Sequence, residues 1–173
     1  MANNFFIYKN FNVGKSLIEE NTKKIIKMIF EKAKENKCKI LIPDDCMVGS
    51  SFNGDGKNKD LNAIEDNDII LDIGTKTLKS IKHTIDQSNT VLWNGPAGYF
   101  ENENFMKGTM TIAEIISKNT VEKSLISILG DGDTLAAINK SKNKLSFTHL
   151  STAGGAFLEY LEGKDLPGLS VLK

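Results

Sequence analysis

The chain contains no arginine; all 22 basic residues in its 173 are lysine. Arginine supplies the planar, two-pronged grip on phosphate or carboxylate, so no such clamp comes from this chain. Cysteine is scarce: Cys38 and Cys46 are the two thiols. They stand in neither a zinc nor a CxxC spacing and are too few for a disulfide framework, which points to a reducing cytoplasm. Net charge is absent as well, with 22 acidic residues balancing the lysines. That balance argues against an electrostatic hold on nucleic acid or an anionic membrane. No apolar run is long enough to span a bilayer, and "MANNFFIYKNFNVGKSL" is too broken by polar residues to read as a signal peptide.

What remains is an ordinary globular composition, 40% hydrophobic and 25% charged, long enough for one domain with a sizeable core. Thr22, Ile25, Ile26, Ile29, Phe30 and Ala33 follow helical spacing, so residues 19–35 are predicted as an amphipathic helix. "CKILI" (38–42) reads as a strand ended by Pro43, and "CMVGSSF" (46–52) as a second strand. "NGDGKNKD" (53–60) reads as a polar loop; lysines 57 and 59 sit where a calcium loop needs oxygen ligands. Strands follow at 68–74, 90–94, 124–129 and 146–150. They alternate with helical stripes through Leu78, Ile81 and Ile85, through Phe105, Thr109, Ile112 and Ile116, and over 133–139 and 153–163, the last closed by Gly163. The alternation predicts an α/β fold: a three-layer, Rossmann-like parallel sheet with helices on both faces.

One device recurs. "LWNGPAG", "ILGDGDT" and "LSTAGGA" each follow a predicted strand and precede a predicted helix. In a parallel sheet all three open on the edge where α/β folds bind ligands. Glycine admits close backbone approach, and a helix start offers N–H groups and partial positive charge. Each loop alone is equally a tight turn, and none matches the Walker A or GxGxxG pattern. Three together point to a phosphate ligand. Asp133 then has two readings: a carboxylate that joins Mg²⁺ to phosphate oxygens, or a plain helix N-cap. Asp131 is awkward under both.

Together these loops resemble the phosphoglycerate kinase family. "VLWNGPAGYFE" (91–101), "LGDGDT" (129–134) and "HLSTAGGAFLEYLEGKDLPGL" (149–169) are similar to signatures of its C-terminal, nucleotide-binding half, as are "MANNF" and "VGKSLIEE" (13–20). The resemblance implies phosphoryl transfer between 1,3-bisphosphoglycerate and ADP, giving 3-phosphoglycerate and ATP in glycolysis, with Mg²⁺ accompanying ADP/ATP. It implies that Asp133 binds the metal and that Asp131, Gly132 and Thr134 lie at the phosphates. Glu101 would hold the ribose hydroxyls. Asn94, Pro96, Gly98 and Tyr99 would lie along the nucleotide, and Leu17, Phe52 and Leu71 would line the base. From the residues alone, those last three read equally as core. Thr152, Gly154 and Gly155 would offer backbone N–H groups to the transferring phosphoryl group.

The sequence departs from the family pattern in places. Asp131 and Ala153 each replace a glycine, no lysine precedes Phe52, and Thr75 stands where proline is usual. The resemblance covers a single partial nucleotide-binding domain over 1–173, without the family's N-terminal triose-binding domain. The expectation is therefore nucleotide binding without turnover by this chain alone. A separately made N-terminal chain completing a split enzyme, and a non-catalytic nucleotide-binding remnant, are the alternatives.

Overall fold

A computed structural model describes residues 1–172. The chain forms two compact units, Met1–His83 with Ala97–Gly108, and Thr84–Pro96 with Thr109–Lys173.

The first unit opens with helix α1 (Ala2–Tyr8) and helix α2 (Lys23–Glu35). They meet through Phe30, whose ring stands edge-on to Phe5 at 5.8 Å and stacks on Tyr8 at 5.5 Å. Strands β1 (Asp45–Gly49), β2 (Lys57–Asp60) and β3 (Ile69–Ile73) form an antiparallel sheet in the order β2-β1-β3. Phe6, Val13, Cys46, Val48, Leu61 and Ile64 fill its core. Helix α3 (Thr75–Asp86) starts on a buried carboxylate. Asp45 accepts the N–H of Thr77 at 2.8 Å and of Lys76 at 3.0 Å, and the Asn58 amide at 3.0 Å. Burial raises this carboxyl, but those hydrogen bonds and one from the Thr77 hydroxyl outweigh it and hold the group below its ordinary value.

The second unit contains strands β4 (Thr90–Asn94), β5 (Ile126–Gly130) and β6 (His149–Leu150), paired in parallel in the order β4-β5-β6. Helices α4 (Lys107–Lys123), α5 (Gly132–Ile138), α6 (Gly155–Leu161) and α7 (Pro167–Ser170) flank it, α4 joining this unit from Thr109. This is the parallel sheet of the predicted α/β fold. Ile112, Ala113, Ile116, Leu125, Leu129 and Ala137 are buried in it. Ser127 and Thr148 fix the short last strand by exchanging N–H to hydroxyl bonds of 3.0 Å each. Gly163 follows α6 at φ +79°, with the Lys164 N–H returning to the Glu159 carbonyl at 3.1 Å, as its reading as a cap requires.

Four expectations are corrected. The strands expected at 46–52 and 68–74 do not join the parallel sheet; they form β1 and β3 of an antiparallel one, because the connections 50–56 and 61–68 carry no α-helix to cross over. Residues 38–42 form no strand among the described residues, because an apolar run becomes a strand only when a ladder partner is present. Residues 57–60, expected in a loop, form β2, whose inward Lys59 is held by Asp68 at 2.7 Å. Here pairing with β1 overrides a composition that lacks β-formers. The helix predicted over 19–35 begins at Lys23.

Candidate functional site

The parallel register sets the geometry of the second unit. Asn94 pairs with Gly130, and Leu129 with Leu150, so the loops after β4, β5 and β6 all leave one edge. They are tied together beneath that edge. The Gly95 N–H donates to the Thr134 hydroxyl at 2.9 Å, joining the β4 loop to α5. The Ser151 N–H donates to the Leu129 carbonyl at 2.7 Å, joining the β6 loop to β5. Thr134 is fully buried, whereas Asn94, Gly132, Asp133, Thr152 and Gly155 are exposed. Gly95 (φ +94°) and Gly154 (φ +55°, ψ −131°) hold backbone shapes that suit glycine. A Cβ added at Gly132, Gly154 or Gly155 would meet nothing within 4 Å, so these backbones face open space.

The two aspartates divide the roles that the sequence left open. Asp131, not Asp133, is the N-cap of α5; its Oδ2 accepts the Thr134 N–H at 3.2 Å. It does so at φ +89° and ψ +132°, a shape in which a side chain is strained. Asp133 lies in the first turn with its side chain exposed, so the N-cap reading of Asp133 is set aside.

The described residues hold no cluster of three or more His, Cys, Asp or Glu side chains able to bind a metal unaided. Mg²⁺ is satisfied by one or two carboxylates when phosphate oxygens and waters complete its shell. An exposed Asp133 beside open glycine backbone suits that donor set.

In the first unit, Leu71 on β3 is buried at 6% exposure, and its carbonyl accepts the Tyr99 N–H at 2.7 Å. The Tyr99 ring stands edge-on to Phe52, centroids 5.1 Å apart. The Asn102 amide donates to the Phe52 carbonyl at 2.8 Å, which fixes the turn that carries Phe52. Leu71, Phe52, Gly98 and Tyr99 are thus brought together, and Glu101 is exposed on the same segment. Phe52 is 42% and Leu17 80% exposed, so the core reading fails for both and holds for Leu71 alone. Leu17 lies on a separate irregular segment, with its carbonyl held by the Asn3 amide at 2.9 Å. Sequence reasoning passed over Asp72, which lies between Leu71 and the glycines that follow. Its signal was an aspartate inside an apolar strand run, "IILDI".

The model of the phosphoglycerate kinase family matches residues 1–164. A phosphoglycerate kinase of Chelativorans sp. (strain BNC1) is 41% identical over the whole chain, and one of Bartonella tribocorum is 43% identical over 99% of it. The chain spans 44% of the length of each of these curated relatives. The structure of phosphoglycerate kinase from Coxiella burnetii superposes with a TM-score of 0.90 at 37% identity, over 99% of this chain and 44% of that one. The crystal structure from Pyrococcus horikoshii OT3 superposes with 0.71 at 28% identity, over 99% and 42%.

Proposed function

We propose a function from one premise: this chain belongs to the phosphoglycerate kinase family. It supplies the part of that enzyme that binds Mg-ADP or Mg-ATP for phosphoryl transfer between 1,3-bisphosphoglycerate and ADP. The observation that carries this reading is the edge of the parallel sheet, where three glycine loops leave side by side and the middle one carries Asp133.

In this reading the backbone N–H groups near Gly132, Gly154 and Gly155, with Thr152, receive phosphate oxygens. Asp133 holds the metal, which when bound neutralises phosphate charge. Thr134 keeps the β4 loop in place through Gly95, so Asn94 and Pro96 keep a fixed position. Phe52, Tyr99 and Gly98 form the wall for the base over the buried Leu71, the resemblance alone adds Leu17, and Glu101 accepts the ribose hydroxyls. Catalysis of this kind rests on positioning and charge neutralisation.

The triose acid is recognised elsewhere: no arginine is available here to clamp a carboxylate or phosphate. The chain alone therefore binds nucleotide without turnover. The setting is the cytoplasm, in keeping with the unpaired thiols Cys38 and Cys46. No described helix is long and apolar enough to cross a membrane.

Thermal unfolding tests the reading. A ligand at about a hundred times its dissociation constant stabilises the fold by roughly 2.7 kcal/mol, about 5–10 °C for a chain of this size. Mg-ADP should produce that rise, and ADP with chelator a smaller one. A cooperative melt indifferent to nucleotide contradicts the reading.

A second reading is favoured by exposed apolar surface. Ile25, Met28 and Ile29 of α2 are exposed, and residues 38–42 pair with no described strand. Such surface suits docking of a separately made N-terminal chain. Co-expression with that chain should then yield a complex that turns over 1,3-bisphosphoglycerate. Failure to form the complex would set this second reading aside.

A further inference from the structure

One buried carboxylate joins β3 to the segment 97–108. Asp72 is 4% exposed. Its Oδ1 accepts the N–H of Ile73 at 2.8 Å, and its Oδ2 the N–H of Gly108 at 2.6 Å. The segment passes so close that a Cβ at Gly98 would stand 2.4 Å, and one at Gly108 2.2 Å, from Oδ1. Two glycines therefore enclose the carboxylate, and Tyr99 and Glu101 lie between them in sequence. The Tyr99 N–H reaches the carbonyl of Leu71, the residue before Asp72.

We propose that Asp72 is a positioning residue for nucleotide: its carboxylate clasps segment 98–108 onto β3 and so aims Tyr99 and Glu101 at base and ribose beside Leu71 and Phe52. The inference rests on the nucleotide reading above, and it gives Asp72 no direct contact with ligand.

A buried charge is a poor choice for stability alone, since apolar residues of like volume usually serve as well or better. Burial pushes this carboxyl up to about 6, against smaller opposing effects of the Gly108 and Ile73 N–H groups. Among the neighbouring ionisable groups, the Cys46 thiol across β1 is itself pushed up to about 12 and stays neutral. The clasped segment itself carries Tyr99, Glu101, Glu103 and Lys107.

A group whose folded value is raised by burial penalises the buried state when ionised; that penalty is absent below its ordinary value and complete above pH 6, so acid favours the folded, clasped state and does not separate the two roles. Ligand affinity does separate them. Replacing a merely structural Asp72 lowers stability and leaves the affinity of the folded chain unchanged, whereas replacing a positioning Asp72 lowers that affinity.

Adenosine is the probe, because it reads the base and ribose wall and carries no phosphate. Its binding to the full, folded chain at pH 7.5 is followed by the aromatic resonances of Phe52 and Tyr99. Asp72→Asn should bind about tenfold more weakly than wild type, the scale of one charge-assisted hydrogen bond. Gly98→Ala, whose Cβ would stand 2.4 Å from Oδ1 and push the segment off the carboxylate, should weaken binding in the same direction and decides the matter should Asp72→Asn fail to fold. A folded variant of either kind that keeps the wild-type affinity overturns the proposal. A wild type that binds neither adenosine nor Mg-ADP overturns the nucleotide reading itself.

Discussion

Replacing Asp131 separates two effects that share one residue. Its backbone sits at φ +89° and ψ +132°, and its Oδ2 caps Thr134 at 3.2 Å. Holding a non-glycine residue there costs about 1–3 kcal/mol. Asp131→Gly removes that strain. It gives up only a few tenths of a kcal/mol of capping, because glycine is itself a fair N-cap. It also frees the unfolded backbone, which costs about 0.5–1 kcal/mol. The net expectation is a gain of about 1 kcal/mol. Asp131→Ala keeps the strain and loses the cap, for a loss of about 1 kcal/mol. For a chain of this length the two variants should differ by roughly 4–8 °C in thermal midpoint, followed by circular dichroism. The glycine variant should also bind Mg-ADP more tightly, since a carboxylate leaves the edge assigned to phosphates. Equal midpoints for the two variants, or a glycine variant below wild type, would refute the assignment of strain and cap to this residue.

Other outcomes follow from the same geometry. Asp133→Asn should weaken ADP binding in Mg²⁺ while leaving metal-free ADP binding near wild type; calorimetry with and without chelator separates the two. Thr134→Val keeps the buried volume but removes the hydroxyl that accepts the Gly95 N–H, and chemical denaturation should register a loss of about 1–2 kcal/mol. Asp45→Ala strips the cap from α3 and leaves the buried N–H of Thr77 and the part-buried N–H of Lys76 without their acceptor, at about 3 kcal/mol. Asp45 is held below its ordinary 3.8, so its contribution is complete above that pH and lost as pH falls through its folded value. Acid denaturation of wild type should show a loss that Asp45→Ala lacks.

The second unit was the more legible in sequence. Its strands are apolar runs, its loops carry glycine, and its parallel pairing follows from alternation with helices; Ile126–Gly130 and Thr90–Asn94 were readable directly. The first unit was less so, because its sheet depends on partners. β2 is made of Lys57, Asn58, Lys59 and Asp60 and is a strand only because β1 lies beside it. Residues 38–42 have every strand preference and no described partner. Among site residues, the resemblance gave types and order, but not environment. Spacing could not tell Leu17, exposed on an irregular segment, from Leu71, buried on β3. Nor could it show which aspartate of "GDGD" caps α5, since that turns on the positive φ at Asp131. Asp72 was missed because a single aspartate in a strand carries no pattern until its glycine neighbours fold against it.

The proposed function puts nucleotide phosphates on the carboxyl edge of β4-β5-β6. It is tested most directly by titrating the isotopically labelled chain with Mg-ADP and following backbone amides. The largest shifts are expected at Gly95, at Gly132 to Thr134, and at Thr152 to Gly155, reduced when Asp133 is replaced by Asn. Shifts confined to other elements, or none at saturating Mg-ADP, would contradict it.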